Sequence, residues 1–214
     1  MKQILIVAVA LTFGSSLLTA GEAGWQSLFD GKTLNGWKES EGKSSFSVKD
    51  GMIVAHGQPK GHLFYAGRVN NAVFTDFEFK ADIKTTPGSN GGVYFHTAWQ
   101  AGGWPSQGFE CQVNATHTDR IKTGSLYAVK NVMDNAPHKD HEWFNYHIIV
   151  KGEKVTIKVN GKTVNEWTQN EEFRKRKDGA RKIQPGTFAF QAHDPKSVVY
   201  LKNIKVKVLG GNGK

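Results

Sequence analysis

The stretch Phe144-Asn145-Tyr146-His147-Ile148-Ile149-Val150-Lys151, continuing through Gly152-Glu153 to Lys154-Val155-Thr156-Ile157-Lys158-Val159-Asn160-Gly161, decides the fold class. Phe144, Tyr146, Ile148 and Val150 recur at every second position, with Asn145 and His147 between them. Extended chain points successive side chains to opposite faces, so this spacing predicts a strand with one apolar face. Val155, Ile157 and Val159 repeat the pattern. Asn160-Gly161 is the strongest short hairpin signal, because a type I′ turn needs positive φ at both central positions. Lys162 to Trp167 is then the returning strand.

Working outward, Phe77, Phe79, Ala81 and Ile83 alternate with Asp76, Glu78, Lys80 and Asp82. Val198, Tyr200, Ile204, Val206 and Val208 are expected to line one face of a last long strand. Asp50-Gly51 marks a tight turn between Phe46-Ser47-Val48 and Met52-Ile53-Val54. Only Asn170 to Lys182 reads as helical, and it is mostly charge. Many short strands with Gly-rich turns predict an all-β fold of two packed antiparallel sheets.

Composition agrees. Of 214 residues, 38% are hydrophobic, 11% aromatic and 24 are glycine, enough for a core in a turn-rich β protein. Cys111 is the only cysteine, which excludes an internal disulfide and a cysteine-based structural zinc site. Met1 to Ala20 has the form of a cleaved signal peptide: Lys2, the apolar run Ile4 to Leu11, and Leu18-Thr19-Ala20 before Gly21. The segment is interrupted by Thr12, Gly14, Ser15 and Ser16 and is too short to span a bilayer, and no later segment is apolar enough. Without a cysteine after the apolar run, a lipoprotein anchor is excluded. The expected organisation is therefore a signal peptide over 1–20, one domain over 21–209 and a frayed tail over 210–214, in a periplasmic or extracellular location. Loss of Lys2 lowers the formal charge of +9 to +8. An exported chain rarely meets nucleic acid, so the basic runs at 174–177 and 181–182 and the alternating Lys202, Lys205 and Lys207 are read as solvated surface.

The informative exception is a set of polar pairs two residues apart inside apolar strands. In Gly92-Val93-Tyr94-Phe95-His96, Tyr94 and His96 are expected opposite Val93 and Phe95. In Phe109-Glu110-Cys111-Gln112-Val113, Glu110 and Gln112 oppose an apolar face that includes Cys111. In Phe188-Ala189-Phe190-Gln191-Ala192-His193, Gln191 and His193 face away from the phenylalanines. If the three strands adjoin, they build a polar, aromatic-lined surface suited to a carbohydrate. Trp99 and Trp104 in the Gly-rich loop after His96 are placed either to rim that surface or to cap the sandwich edge. His138 and His141 lack a metal-ligand spacing and are read as solvated. No phosphate loop, dinucleotide fingerprint or GxSxG is present, so no organic cofactor is expected.

In order along the chain, Trp25-Gln26-Ser27-Leu28-Phe29-Asp30-Gly31-Lys32-Thr33-Leu34-Asn35-Gly36-Trp37, Asn90 to Phe95, Gly108 to Gln112, Thr123 to Tyr127, Glu142-Trp143-Phe144, Asn160-Gly161, Gln191 to Asp194 and Leu201 to Val206 resemble the 3-keto-disaccharide hydrolase domain family. The likeness spans almost the whole chain after the signal peptide. It departs from the expected pattern at His96, Phe144 and Asp194. The resemblance implies a concanavalin A-like jelly-roll sandwich acting on oxidised, 3-keto oligosaccharides or glycosides. A C3 ketone acidifies C2–H, so a base can start β-elimination of the C1 substituent, and hydration can complete a net hydrolysis. Glu110 or His193 would be the base. Asn90, Tyr94, His96, Trp99, Trp104, Gln112, Tyr127 and Gln191 would bind substrate, with Lys130 as an electrostatic partner. A divalent metal ion held by some of Glu110, His96 and His193 would stabilise the enolate. The alternatives are a non-catalytic carbohydrate-binding module and, further off, an adhesion domain. The sequence leaves the oligomeric state open.

Overall fold

A computed structural model describes residues 23–40 and 44–210. The expected signal peptide lies outside the described residues, as does the tail beyond Gly210. Along the chain the strands are β1 (Trp25–Ser27), β2 (Trp37–Glu39), β3 (Phe46–Lys49), β4 (Met52–His56), β5 (Gly61–Tyr65), β6 (Phe77–Thr85), β7 (Gly91–Thr97), β8 (Phe109–Val113), β9 (Phe144–Lys151), β10 (Lys154–Val159), β11 (Lys162–Thr168), β12 (Thr187–Ala192) and β13 (Val198–Val208). They form two antiparallel sheets. The larger runs β11-β10-β9-β6-β13-β4-β3, with β1 also pairing β13, and the smaller runs β2-β5-β12-β7-β8.

The sheets meet through aromatic side chains supplied by the two-residue alternation. Phe77 and Phe79 of β6 pack on Phe188 of β12 with ring centroids 4.8 and 4.9 Å apart. Trp37 stacks on Phe190 at 4.9 Å, and its indole N–H donates to Leu28 O. Phe144, Tyr146, Ile148 and Val150 are all buried, as are Val155, Ile157 and Val159. Each large apolar side chain removed from water contributes about 1.5–3 kcal/mol. Both tight turns form as expected: Asp50 and Gly51 have φ of 50° and 76°, Asn160 and Gly161 of 49° and 78°.

Two expectations need correction. The helix over 170–182 shrinks to α1 (Glu171–Arg174), one turn capped by Asn170, whose side chain accepts from Phe173 N. A mostly charged segment has no apolar stripe to dock, so it cannot gain the packing that sustains a longer helix. In β13, Val199 and Leu201 face the core while Val198 and Tyr200 do not; Ile204 and Val206 face it beyond. The pairing with β6 shifts between Lys202 and Lys205, and Asn203 has φ of 51°. One bulged residue moves the inward set from odd to even positions.

Candidate functional site

The three strands bearing polar pairs are neighbours, in the order β12-β7-β8. Tyr94 pairs with Glu110 and with Ala189, Gly92 pairs with Gln112, and Gln191 pairs with His62 of β5. Their outward side chains floor a cleft of about 710 Å³. Asn90, Tyr94, Trp104, Glu110, Gln112, Tyr127, Gln191 and His193 all line it, joined by His117, Asp119 and Arg181. Glu110 and His193 thus stand on one sheet surface and in one cleft. Cys111 points the other way, into the core, as its parity requires.

Glu110 is the best-held group. Tyr94 donates its hydroxyl to Glu110 Oε2 at 2.8 Å, and Gln191 Nε2 donates to the same tyrosine oxygen at 3.0 Å. With its amide nitrogen turned towards the surrounding acceptors, Gln112 donates to Glu110 Oε1 at 3.1 Å and to Gly91 O at 3.3 Å. The carboxylate lies over Gly92, where a Cβ would collide with Glu110 Oε1. Glycine is therefore required there for close approach, not for backbone freedom. Enclosure pushes the Glu110 carboxyl up to about 7; the bonds from Tyr94 and Gln191 pull it down, Asp119 adds to the rise and Arg181 opposes it. Tyr94 is itself raised well above the phenol range by burial and by the neighbouring carboxylate.

His193 sits on a second network. Its Nδ1 is 2.8 Å from Asp194 Oδ2, which His117 Nε2 also approaches at 3.2 Å. His117 Nδ1 accepts from Asp119 N, so its proton resides on Nε2 and points at Asp194. With two N–H donors on one carboxylate, His193 carries its proton on Nδ1 and keeps Nε2 for other partners. Trp104 stacks on the His193 ring at 5.0 Å and meets His62 edge-on at 5.6 Å. The indole is 49% exposed and rims the cleft, on a loop tied by the Gln100 side chain to Gly102 O, Trp104 O and Ser106 N.

Several cleft residues carried no signal in the sequence. His117 and Asp119 come from the loop after β8. Asn114 Nδ2 donates to Asp119 O and Ile121 O, and its Oδ1 accepts from His117 N. The buried Lys122 donates from Nζ to His117 O and Asp119 O, both at 2.7 Å. Arg181, expected in a solvated basic loop, reaches the cleft because Gly108 N and O bond Gly179 O and Arg181 N. His62 lies beneath Trp104, buried, with neither ring nitrogen bonded among the described residues. Burial, then the charge of His193, brings it down to about 4. Gln191 Oε1 is likewise buried without a partner. Buried polar atoms of this kind need a ligand or water to satisfy them.

Three expected site residues lie elsewhere. His96 has φ of 56° and turns inward against Phe77, its Nε2 2.8 Å from Thr75 O and its Nδ1 accepting from Gln184 N. Gly108 and Gly186 flank it, and a Cβ on either would strike the His96 backbone. The kink ends the alternation that should have set His96 beside Tyr94. Trp99 lies under Lys38, whose Nζ is 3.3 Å from the ring centroid. Lys130 donates to Glu166 O on the far side of its loop. The expected metal ligands Glu110, His96 and His193 are not brought together: both His96 nitrogens are spent on backbone, and no three His, Cys, Asp or Glu side chains among the described residues are arranged to hold a metal. The residues do not fit that ion.

The family model of the 3-keto-alpha-glucoside-1,2-lyase-like domain matches residues 24–207. The chain belongs to this family. Among curated proteins, none matches the sequence. A glycosyl hydrolase candidate from Parabacteroides distasonis ATCC 8503 shares 26% identity at a TM-score of 0.72, covering 87% of this chain and 94% of that one. The carbohydrate-binding module CBM66 from Bacillus subtilis shares the fold at 13% identity and a TM-score of 0.51, over 86% of this chain and 95% of that one. The family, together with the 26%-identical neighbour, makes a carbohydrate-related role the coarse functional statement for this member.

Proposed function

We propose that the protein is an exported enzyme that cleaves 3-keto-glycosides by β-elimination, with hydration completing a net hydrolysis. The observation that carries this reading is Glu110: a carboxyl enclosed in a sugar-sized cleft, held by Tyr94 and Gln112 over Gly92, and brought to about 7. A base with that affinity is half-deprotonated near neutrality and strong enough to remove the C2 proton beside a ketone. Pure binding needs no such group.

In this reading Glu110 takes the proton from C2 and the electron pair moves onto the C3 oxygen, near the positive charge of Arg181. The pair then returns to form C1=C2 as the C1–O bond breaks. The leaving oxygen receives a proton from Nε2 of the protonated His193, which Asp194 supports from Nδ1. Water then adds its hydroxyl to C1 as its other proton passes to the vacated His193 Nε2, and C2 regains a proton from Glu110, giving the free 3-keto sugar. Asn90, Tyr94, Gln112 and Gln191 are the hydroxyl partners, and Trp104 takes a sugar's C–H face.

The test is incubation of purified protein with a 3-keto-disaccharide and with its unoxidised parent. Release of the leaving sugar from the ketone only, lost in Glu110→Gln and His193→Ala, supports the reading. Saturable binding of either sugar without turnover replaces it with a carbohydrate-binding module.

A further inference from the structure

The cleft wall covers a second polar floor. His62 of β5 and Gln191 of β12 are paired across neighbouring strands, so their side chains stand side by side on the cleft face of the small sheet. Gln191 commits its amide nitrogen to Tyr94, but its Oε1 has no partner among the described residues, and neither ring nitrogen of His62 has one. Both side chains belong to residues more than nine-tenths buried. Held neutral by burial and by the charge of His193, the imidazole offers one N–H and one acceptor nitrogen. A donor and an acceptor thus lie next to each other, unused, where an unmade bond is costly.

Trp104 closes this floor off. Its indole meets His62 edge-on at 5.6 Å, and the rings of Tyr94 and Phe64 stand 5.4 and 6.2 Å from the imidazole. The indole also stacks on His193, and Lys60 Nζ is 5.3 Å from its ring centroid. Of these neighbours the indole is the one that can move. Tyr94 and Phe64 are buried strand residues, whereas Trp104 is half exposed on the loop between β7 and β8. The Gln100 side chain ties Gly102, Trp104 and Ser106 together, so the loop can carry the indole outward as one piece. Position matters as well. With the leaving oxygen at His193 Nε2, the space beside that ring belongs to the leaving group, and the indole fills it.

We propose that the floor under Trp104 is the subsite of the leaving sugar and that His62 is its specificity-determining residue, an inference that rests on the β-elimination reading. The sugar takes the indole's place beside His193. One of its hydroxyls accepts from the His62 N–H and donates to Gln191 Oε1, and the displaced indole covers the sugar's outer C–H face. A small alcohol as leaving group cannot reach this floor, so the subsite favours disaccharides over simple alkyl glycosides.

Steady-state kinetics with 3-keto-trehalose and methyl 3-keto-α-glucoside, which share the oxidised ring and differ in the leaving group, test this. The parent should prefer the disaccharide, and His62→Phe should cut the ratio of the two kcat/KM values by about tenfold or more. His62→Gln, which keeps an N–H donor, should retain most of that ratio. No preference in the parent, or an unchanged ratio in His62→Phe, would overturn the proposal, since a merely structural loss lowers both substrates together. A binding measurement on the parent decides the matter if the variant fails to fold, or if neither ketone is cleaved, the outcome that removes the elimination reading alone. Unoxidised trehalose should shift the tryptophan emission as Trp104 moves, methyl α-glucoside should not, and Trp104→Phe should abolish the shift. Emission that neither sugar moves, or that both move alike, would overturn the subsite.

Discussion

The Tyr94 hydroxyl sits between two partners, donating to Glu110 Oε2 at 2.8 Å and accepting from Gln191 Nε2 at 3.0 Å. The bond to Glu110 favours the ionised carboxylate, so it restrains a rise that enclosure alone would carry further. The tyrosine therefore sets how basic Glu110 is as well as where it points.

Glu110→Gln should lower kcat on a 3-keto-glycoside by about 10²–10⁴-fold, the usual contribution of a positioned base. Tyr94→Phe should leave turnover measurable while moving the basic rise in kcat/KM to higher pH. A pH–rate series on both variants checks this, and an unshifted profile in Tyr94→Phe would remove Tyr94 from the tuning role.

In the parent, kcat/KM should rise as pH passes through about 7, where Glu110 loses its proton. Stability should run the opposite way. The folded-state value lies above the 4.5 of a free glutamate carboxyl, so the neutral carboxyl is favoured by folding. That contribution is full below about 4.5 and is lost as pH rises through about 7. Denaturant unfolding at pH 5 and 8 should show a smaller loss between the two in Glu110→Gln than in the parent.

His62 gives the opposite acid-side signature. Its folded-state value of about 4 lies below 6.5, so the unfolded chain binds the extra proton as pH falls between them. Stability from this group is present above about 6.5 and is lost towards pH 4. His62→Gln should flatten that part of the stability curve, measured by thermal melting across pH 4 to 7.

Gly92→Ala should separate architecture from chemistry. The added methyl displaces the Glu110 carboxylate while the strand backbone stays compatible with alanine. The expected outcome is a loss of about 10²-fold in kcat with circular dichroism unchanged, since small misplacements at a reacting centre cost that much.

His96→Ala should behave as a core variant. Removing a ring packed on Phe77 and bonded to Thr75 O should cost about 2–3 kcal/mol of stability. The protein that remains folded should keep the parent's KM for a 3-keto-glycoside, as assayed below its melting transition.

Parity along strands made much of this protein legible. Phe144 to Val159 and Phe77 to Ile83 gave the core faces directly, and the pairs Glu110/Gln112 and Gln191/His193 placed the cleft floor. Parity failed at His96, itself left-handed, and at Val198 to Tyr200, upstream of the left-handed Asn203, and no composition rule marks either position. The nearest trace is the glycine on either side of His96, Gly108 and Gly186, and these meet it only in three dimensions. His117, Asp119 and Arg181 lay beyond reach for another reason: loops place them, through side chain to backbone bonds that have no period. Lys130 and Trp99 were drawn by sequence proximity to cleft strands, but the chain turns away before their side chains begin.

The loop that presents His117 and Asp119 is built around the Lys122 ammonium, which meets two backbone oxygens and the Asn114 side chain. Such a ring of oxygens is what a surface loop elsewhere would offer a dissolved cation. Here the cation is covalently part of the chain and cannot be washed out. The shape of this side of the cleft is consequently fixed when the polypeptide folds, whatever the salt composition of the medium in which it works.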